Sequence, residues 1–175
     1  AHAGKQIAFV PWKTEFANSI ASPAVQDNFV VITSDYNHAK IAKFEIMQSG
    51  AREVWKVDHS SSVCTPVIHG GCVYWCWQKV HCLDFETGKA KWVGPASLGD
   101  PGSCIVTGDE RLIVWCENGN LLLMETAARS PDEPRVLARR DRLFETDAWP
   151  HVVLAEGRLV CKDRSGNIRC FVVGK

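Results

Sequence analysis

Four positions in this chain recur in step. Val30, Val73, Leu112 and Leu159 hold the same place in four successive stretches, with separations of 43, 39 and 47 residues. Each stretch breaks into short apolar runs of strand composition, divided by Gly, Asn and Asp turn signals. A period of roughly 40 residues with about four strands per period lies in the range of four-stranded propeller blades. One such unit presents an apolar face it cannot bury by itself. Radial stacking covers both faces and leaves only short edges, so the spacing predicts an all-β chain of four blade-like units.

The stretch 65–93 is the clearest copy. Thr65-Pro66-Val67-Ile68 is followed by Gly70-Gly71, then Cys72-Val73-Tyr74-Trp75-Cys76-Trp77, a tight turn at Gln78-Lys79, Val80 to Phe85, the turn Thr87-Gly88 and Lys89 to Val93. The first unit covers 22–57 and the third 103–140, where Asn118-Gly119 is a strong hairpin signal. The fourth covers 149–173 and stops one strand short. A lone apolar run, Gln6 to Trp12, precedes the first unit; it is expected to form a strand. It either completes the fourth unit or belongs to a larger ring. Helix is nearly absent from this reading, because Pro131 and Pro134 cut the best candidate, 127–140.

The chain has 20 basic and 20 acidic residues, which indicates no nucleic-acid or anionic-membrane surface. No apolar run approaches the roughly 18 residues of a membrane span. The start, Ala1-His2-Ala3-Gly4-Lys5, has neither an initiator Met nor a signal-type apolar run and reads as the beginning of an excised piece. Of the eight cysteines, Cys72, Cys76, Cys82, Cys116, Cys161 and Cys170 fall inside strand-like runs, where reduced cysteine serves as a small buried hydrophobe; most are expected reduced, with one or two bridges left open. Cys72 and Cys76 share a strand face about 13 Å apart, too far for one tetrahedral zinc.

At this point the residues resemble a known family. Gly71-Cys72-Val73-Tyr74 followed by Val80-His81-Cys82-Leu83-Asp84-Phe85-Glu86-Thr87-Gly88-Lys89-Ala90-Lys91-Trp92 is similar to the repeat of the pyrroloquinoline-quinone-like β-propeller proteins. These include quinoprotein dehydrogenases and an outer-membrane assembly lipoprotein. Ser22-Pro23-Ala24-Val25 and Trp55 resemble it in the first unit, as do Gly157-Arg158-Leu159-Val160, Gly166-Asn167 and Cys170-Phe171 in the fourth. The third is degenerate, with no Trp to close it, and Gly4-Lys5 resembles the tail of a Thr-Gly-Lys turn. The resemblance implies the C-terminal half of a seven- or eight-bladed ring, completed by the rest of that ring or by a second copy. It also implies a periplasmic or cell-envelope setting.

No residue set fixes a reaction. The vicinal cysteines and calcium ligands of the quinone enzymes are not matched, so no catalytic, cofactor-binding or metal-ligating residue is assigned, and no cofactor is expected. Trp55, Trp92, Asp84, Thr87, Gly88, Gly157 and Gly166 read as repeat scaffold. A turn of the type Asp-x-x-Thr-Gly is explained by side-chain-to-backbone hydrogen bonds and a glycine at positive φ. His59, Trp149 and His151 enter the blades where such folds line a central funnel, and they are the candidate contacts for a protein or glycan ligand. The expected function is a non-catalytic interaction scaffold. The alternatives are half of a quinone- and calcium-dependent alcohol or sugar dehydrogenase, and a module recognising carbohydrate or the cell envelope.

Overall fold

The computed structural model describes residues 4–17, 19–95, 98–99 and 102–173, and their fold follows from strand pairing between neighbours in sequence. Four antiparallel sheets succeed one another. The first, blade I, contains β1 (Ala24–Gln26), β2 (Phe29–Ser34), β3 (Lys40–Met47) and β4 (Gly50–Val57). Blade II contains β5 (Val67–His69), β6 (Cys72–Trp77), β7 (Lys79–Asp84) and β8 (Ala90–Val93). Blade III contains β9 (Ser103–Val106), β10 (Arg111–Cys116), β11 (Asn120–Glu125) and β12 (Val136–Arg140). Blade IV has three strands, β13 (Val153–Ala155), β14 (Arg158–Lys162) and β15 (Ile168–Val172). Every strand pairs only with its neighbours in sequence, the arrangement that short turns favour. A short 3-10 turn, Glu15–Ala17, is the helical element among the described residues.

The register repeats along with the sequence. Val30 faces Phe44, Val73 faces Leu83, Leu112 faces Met124 and Leu159 faces Phe171. One residue further on, Val31 faces Lys43, Tyr74 faces Cys82, Ile113 faces Leu123 and Val160 faces Cys170. Because side chains alternate across a strand, the first set points toward the preceding blade and the second toward the following one. In each four-stranded blade the third and fourth strands slip by one residue at the same point. Lys43 pairs with Trp55 and Phe44 with Glu53; Cys82 pairs with Trp92 and Leu83 with Ala90; Leu123 pairs with Ala138 and Met124 with Val136. A bulge of this kind bends the strand and re-aims the residue beside it. That residue is Trp55, Trp92 or Ala138.

Two cores hold the sheets together. The larger runs through blades I to III, around the fully buried Tyr74, Trp75, Ile41, Leu112 and Met124. The smaller joins blade III to blade IV through Trp115, Phe144, Val152, Leu159 and Cys161. Contacts between the innermost strands run from β1 to β5 and from β5 to β9, and the arrangement stays open.

The expected strand over Gln6 to Trp12 is not formed: these residues carry no strand pairing. Trp12 instead lies on blade I. Its Nε1 donates to Ser34 Oγ at 3.0 Å, and its ring meets His38 at 4.7 Å and Phe44 edge-on at 6.3 Å between centroids. Phe44 points away from blade II, so the Trp12 ring covers part of an apolar surface that has no neighbouring sheet, whereas Ile7 and Phe9 of the same segment stay exposed. With no partner strand to pair with, the local strand preference of the run is not realised.

Candidate functional site

The three candidate contacts, His59, Trp149 and His151, have distinct local surroundings. His59 joins an aromatic stack on blade II: its ring lies 5.8 Å from Trp75 and 5.9 Å from His81, and Trp75 and His81 stack face to face at 4.6 Å. The Trp75 indole donates to the Ser60 carbonyl at 2.9 Å. Burial lowers the His81 pKa to about 4, against the opposing effect of its contact with the Trp77 carbonyl. Trp149 lies on the side of blade IV, 42% exposed, with the Arg164 guanidinium 4.5 Å above its ring and Arg164 paired in turn to Asp147 at 3.1 Å. One face of that ring is thus occupied by the chain itself. His151 is exposed.

The repeat residues build the joints between blades. In the β7–β8 turn, Asp84 Oδ1 accepts from both the Thr87 N–H and the Thr87 hydroxyl at 2.8 Å, which lowers the Asp84 pKa. Gly88 follows at φ +69, and a Cβ there would stand 2.8 Å from the Trp55 ring of blade I. The same indole donates to the Phe85 carbonyl at 2.9 Å. Lys43 reaches that carbonyl too, at 3.0 Å, with its ammonium 3.6 Å from the centroid of the Phe85 ring and 4.1 Å from that of Phe29. It is fully buried, and its ion pair is with Glu86 at 3.3 Å. Trp92 is buried beside Tyr74, 6.0 Å between ring centroids and without the hydrogen bond that Trp55 makes, and the Tyr74 hydroxyl accepts the Ala127 N–H of blade III at 2.9 Å. Gly157 and Gly166 sit in the turns on either side of β14.

All eight cysteines are free, and seven are buried. Cys64 and Cys76 sulfurs approach to 3.6 Å beside Cys104, whose hydrogen bonds to both, together with burial, hold its thiol well above the usual pKa. Among the described residues no group of three or more His, Cys, Asp or Glu side chains is arranged to hold a metal ion. No described helix is long and apolar enough to cross a membrane. Cys170 departs from the expectation of burial: it is exposed. It points toward the side where a following blade would lie, in a row with its cross-strand neighbours Val160 and Val153.

Two surfaces therefore stand out, and neither was visible as a site in the sequence. The first is this bare face of blade IV, where Val153, Ile168 and Val172 are 52%, 65% and 85% exposed. The second is a crevice of about 370 Å³ between blades III and IV. Ile113, Leu123, Ala138, Leu159 and Val173 form its walls. Arg111, Arg139 and Arg140 line it too, with Asp109 as its one acidic residue. Only the lack of a closing Trp in the third unit hinted at it.

No protein-family profile matches the chain, and no curated protein matches it by sequence. Solved structures do match. The crystal structure of a computationally designed protein, Ika4, superposes with a TM-score of 0.73 at 12% identity, covering 98% of this chain and 100% of that one. BamB from Moraxella catarrhalis gives 0.66 at 12% identity over 90% of this chain and 46% of its own. The WD40 β-propeller domain of Doa1 gives 0.63 at 11% identity over 85% of this chain and 49% of its own. The chain spans about half the length of the latter two. At these identities the likeness carries the architecture alone: an all-β fold of the WD40 and BamB propeller type, in an open arrangement of four sheets.

Proposed function

We propose that this chain is a non-catalytic interaction scaffold of the pyrroloquinoline-quinone-repeat type, whose open faces take up further blades to complete a ring. The observation that carries the reading is the bare apolar face of blade IV. Val153, Val160 and Cys170 form one cross-strand row there, flanked by Ile168 and Val172, whose cross-strand partners Lys162 and Arg158 place two exposed cations at the rim of the same face. In the other blades the corresponding face is what the next sheet covers. Exposed apolar residues rimmed by charged ones in this way mark an interaction site. A second copy of the chain, or the remaining blades of a larger ring, has the matching chemistry, and the repeat resemblance favours a cell-envelope setting.

The test uses the chain itself, in sedimentation velocity over a concentration series. Self-association is expected, together with slowed thiol labelling of Cys170 as concentration rises. A paired Ile168→Lys and Val172→Lys variant should remain monomeric with fast labelling throughout. If the unmodified chain stays monomeric at its solubility limit and Cys170 labels at an unchanging rate, docking of a second copy is refuted.

A further inference from the structure

The crevice between blades III and IV has a cause that can be read from the register. Trp55 and Trp92 occupy equivalent positions next to the bulge, and each is at least nine-tenths buried. In blade III the equivalent residue is Ala138, paired with Leu123 as Trp55 is with Lys43 and Trp92 with Cys82. The Ala138 side chain ends where an indole would begin. The walls opposite are those an indole would touch: Val173 stands where blade II has Phe85, the residue whose carbonyl Trp55 holds. The space thus includes the position of the absent indole, with apolar sides, and about 370 Å³ falls in the range of small-ligand sites, roughly 300–1,000 Å³.

Charge narrows the occupant. Of the four charged residues that line the crevice, three are arginines. Arg111 pairs with Asp109 at 3.3 Å and Arg139 with Asp141 at 2.6 Å. Arg140 has no ion pair among the described residues; its guanidinium lies 5.9 Å from the centroid of the Phe171 ring. A guanidinium beside an apolar slot suits a carboxylate or sulfonate carried on a flat ring.

We propose that this crevice binds a small aromatic anion, its ring in the place of the absent tryptophan and its acid group on Arg140. This site is separate from the bare face of blade IV and stands or falls independently of the scaffold reading.

Isothermal titration with indole-3-propionate tests it, since that probe is a tryptophan side chain with a carboxylate. One saturable site per chain is expected. Ala138→Trp should abolish it by filling the gap, and Arg140→Gln should weaken the carboxylate about tenfold, the factor one charge-assisted hydrogen bond supports. Neutral 3-propylindole should bind the Arg140→Gln variant and the unmodified chain equally. If Ala138→Trp does not fold by circular dichroism, Ala138→Leu serves as the filling variant and should weaken binding several-fold. Absence of saturable binding, or binding indifferent to the filling variant, overturns the proposal. Equal affinity of the carboxylate for the Arg140→Gln variant and the unmodified chain overturns the assignment of an anion.

Discussion

Replacing Gly88 by Ala should cost this protein far more than the loss of one hydrogen atom suggests, and the structure says where the cost resides. Two separate penalties apply. Gly88 has φ +69, a left-handed conformation that costs an alanine about 1–2 kcal/mol. The new Cβ would also stand 2.8 Å, 3.0 Å and 3.1 Å from Cδ2, Cε3 and Cγ of Trp55. Those are the rigid inner atoms of a ring held by its hydrogen bond to Phe85, so the ring cannot swing aside, and overpacking adds about 1–3 kcal/mol. The sum, about 2–5 kcal/mol, is a large part of the roughly 5–15 kcal/mol of an ordinary domain. A Trp55→Leu background separates the two penalties. It removes the ring but strands no acceptor, because Lys43 still donates to the Phe85 carbonyl. In that background Gly88→Ala should cost only the backbone portion. The double-mutant cycle should therefore show about 1–3 kcal/mol of coupling, the double variant being less damaged than the sum of the singles. Urea unfolding followed by circular dichroism reads all four proteins. Equal cost of Gly88→Ala in both backgrounds would refute the argument that the joint between blades I and II is built on this contact.

Other expectations follow from single sites. His81 stays neutral when folded, with its pKa lowered to about 4 chiefly by burial and further by the charges of His59 and Lys79. From pH about 6.5 downward the unfolded chain takes up a proton that the folded chain refuses. Stability should thus fall between pH about 6.5 and 4, by on the order of 2 kcal/mol after allowance for partial exposure, and His81→Gln should flatten that part of the thermal-melting profile. Asp84 is held charged where His81 is held neutral, yet the sign is the same: its lowered pKa, due first to the Thr87 hydroxyl, gives a contribution present above pH about 4 and lost as pH falls through the folded value. Asp84→Ala should remove about 1 kcal/mol at neutral pH in a denaturant titration and much less in strong acid. Lys43→Met should be nearly neutral, since a volume-matched apolar side chain replaces a buried charge, whereas Lys43→Ala should cost about 2–4 kcal/mol through the void it leaves. Equal losses in chemical unfolding of those two variants would contradict this account.

The blade column was legible in the sequence because period and side-chain alternation are backbone geometry written in hydropathy. Val30, Val73, Leu112 and Leu159 hold equivalent registers in the four sheets. Lys43 belongs to the neighbouring column with Cys82, Leu123 and Cys170, yet no apolar pattern identifies a lysine as core. Its burial depends on two phenyl rings and a carbonyl contributed by distant residues. Gln6 to Trp12 misled for the reverse reason. Its composition suits a strand, but a strand is made by its partner, and the segment met the flank of blade I. Cys170 was expected inside because alternation locates a face and does not say whether anything covers it. His59 and Trp149 were grouped by analogy with segments that enter blades; the turns that carry them place one beside Trp75 and the other beside Arg164.

Lys43 also bears on whether the units are interchangeable. Repeats that share a period invite duplication and exchange, since any blade that presents an apolar flank can follow any other. A buried cation does not follow that rule. It requires from its successor an aromatic face, an accessible carbonyl and an acid, which Phe85 and Glu86 supply. At the corresponding point of blade III stands Thr126, which could satisfy the charge with no ring. Placed ahead of blade III, blade I would bury an ammonium that keeps Phe29 but loses the Phe85 ring and the Glu86 carboxylate. The lysine thus acts as an address, costing little where it is and much anywhere else, and it fixes blade I immediately before blade II in an otherwise permissive series.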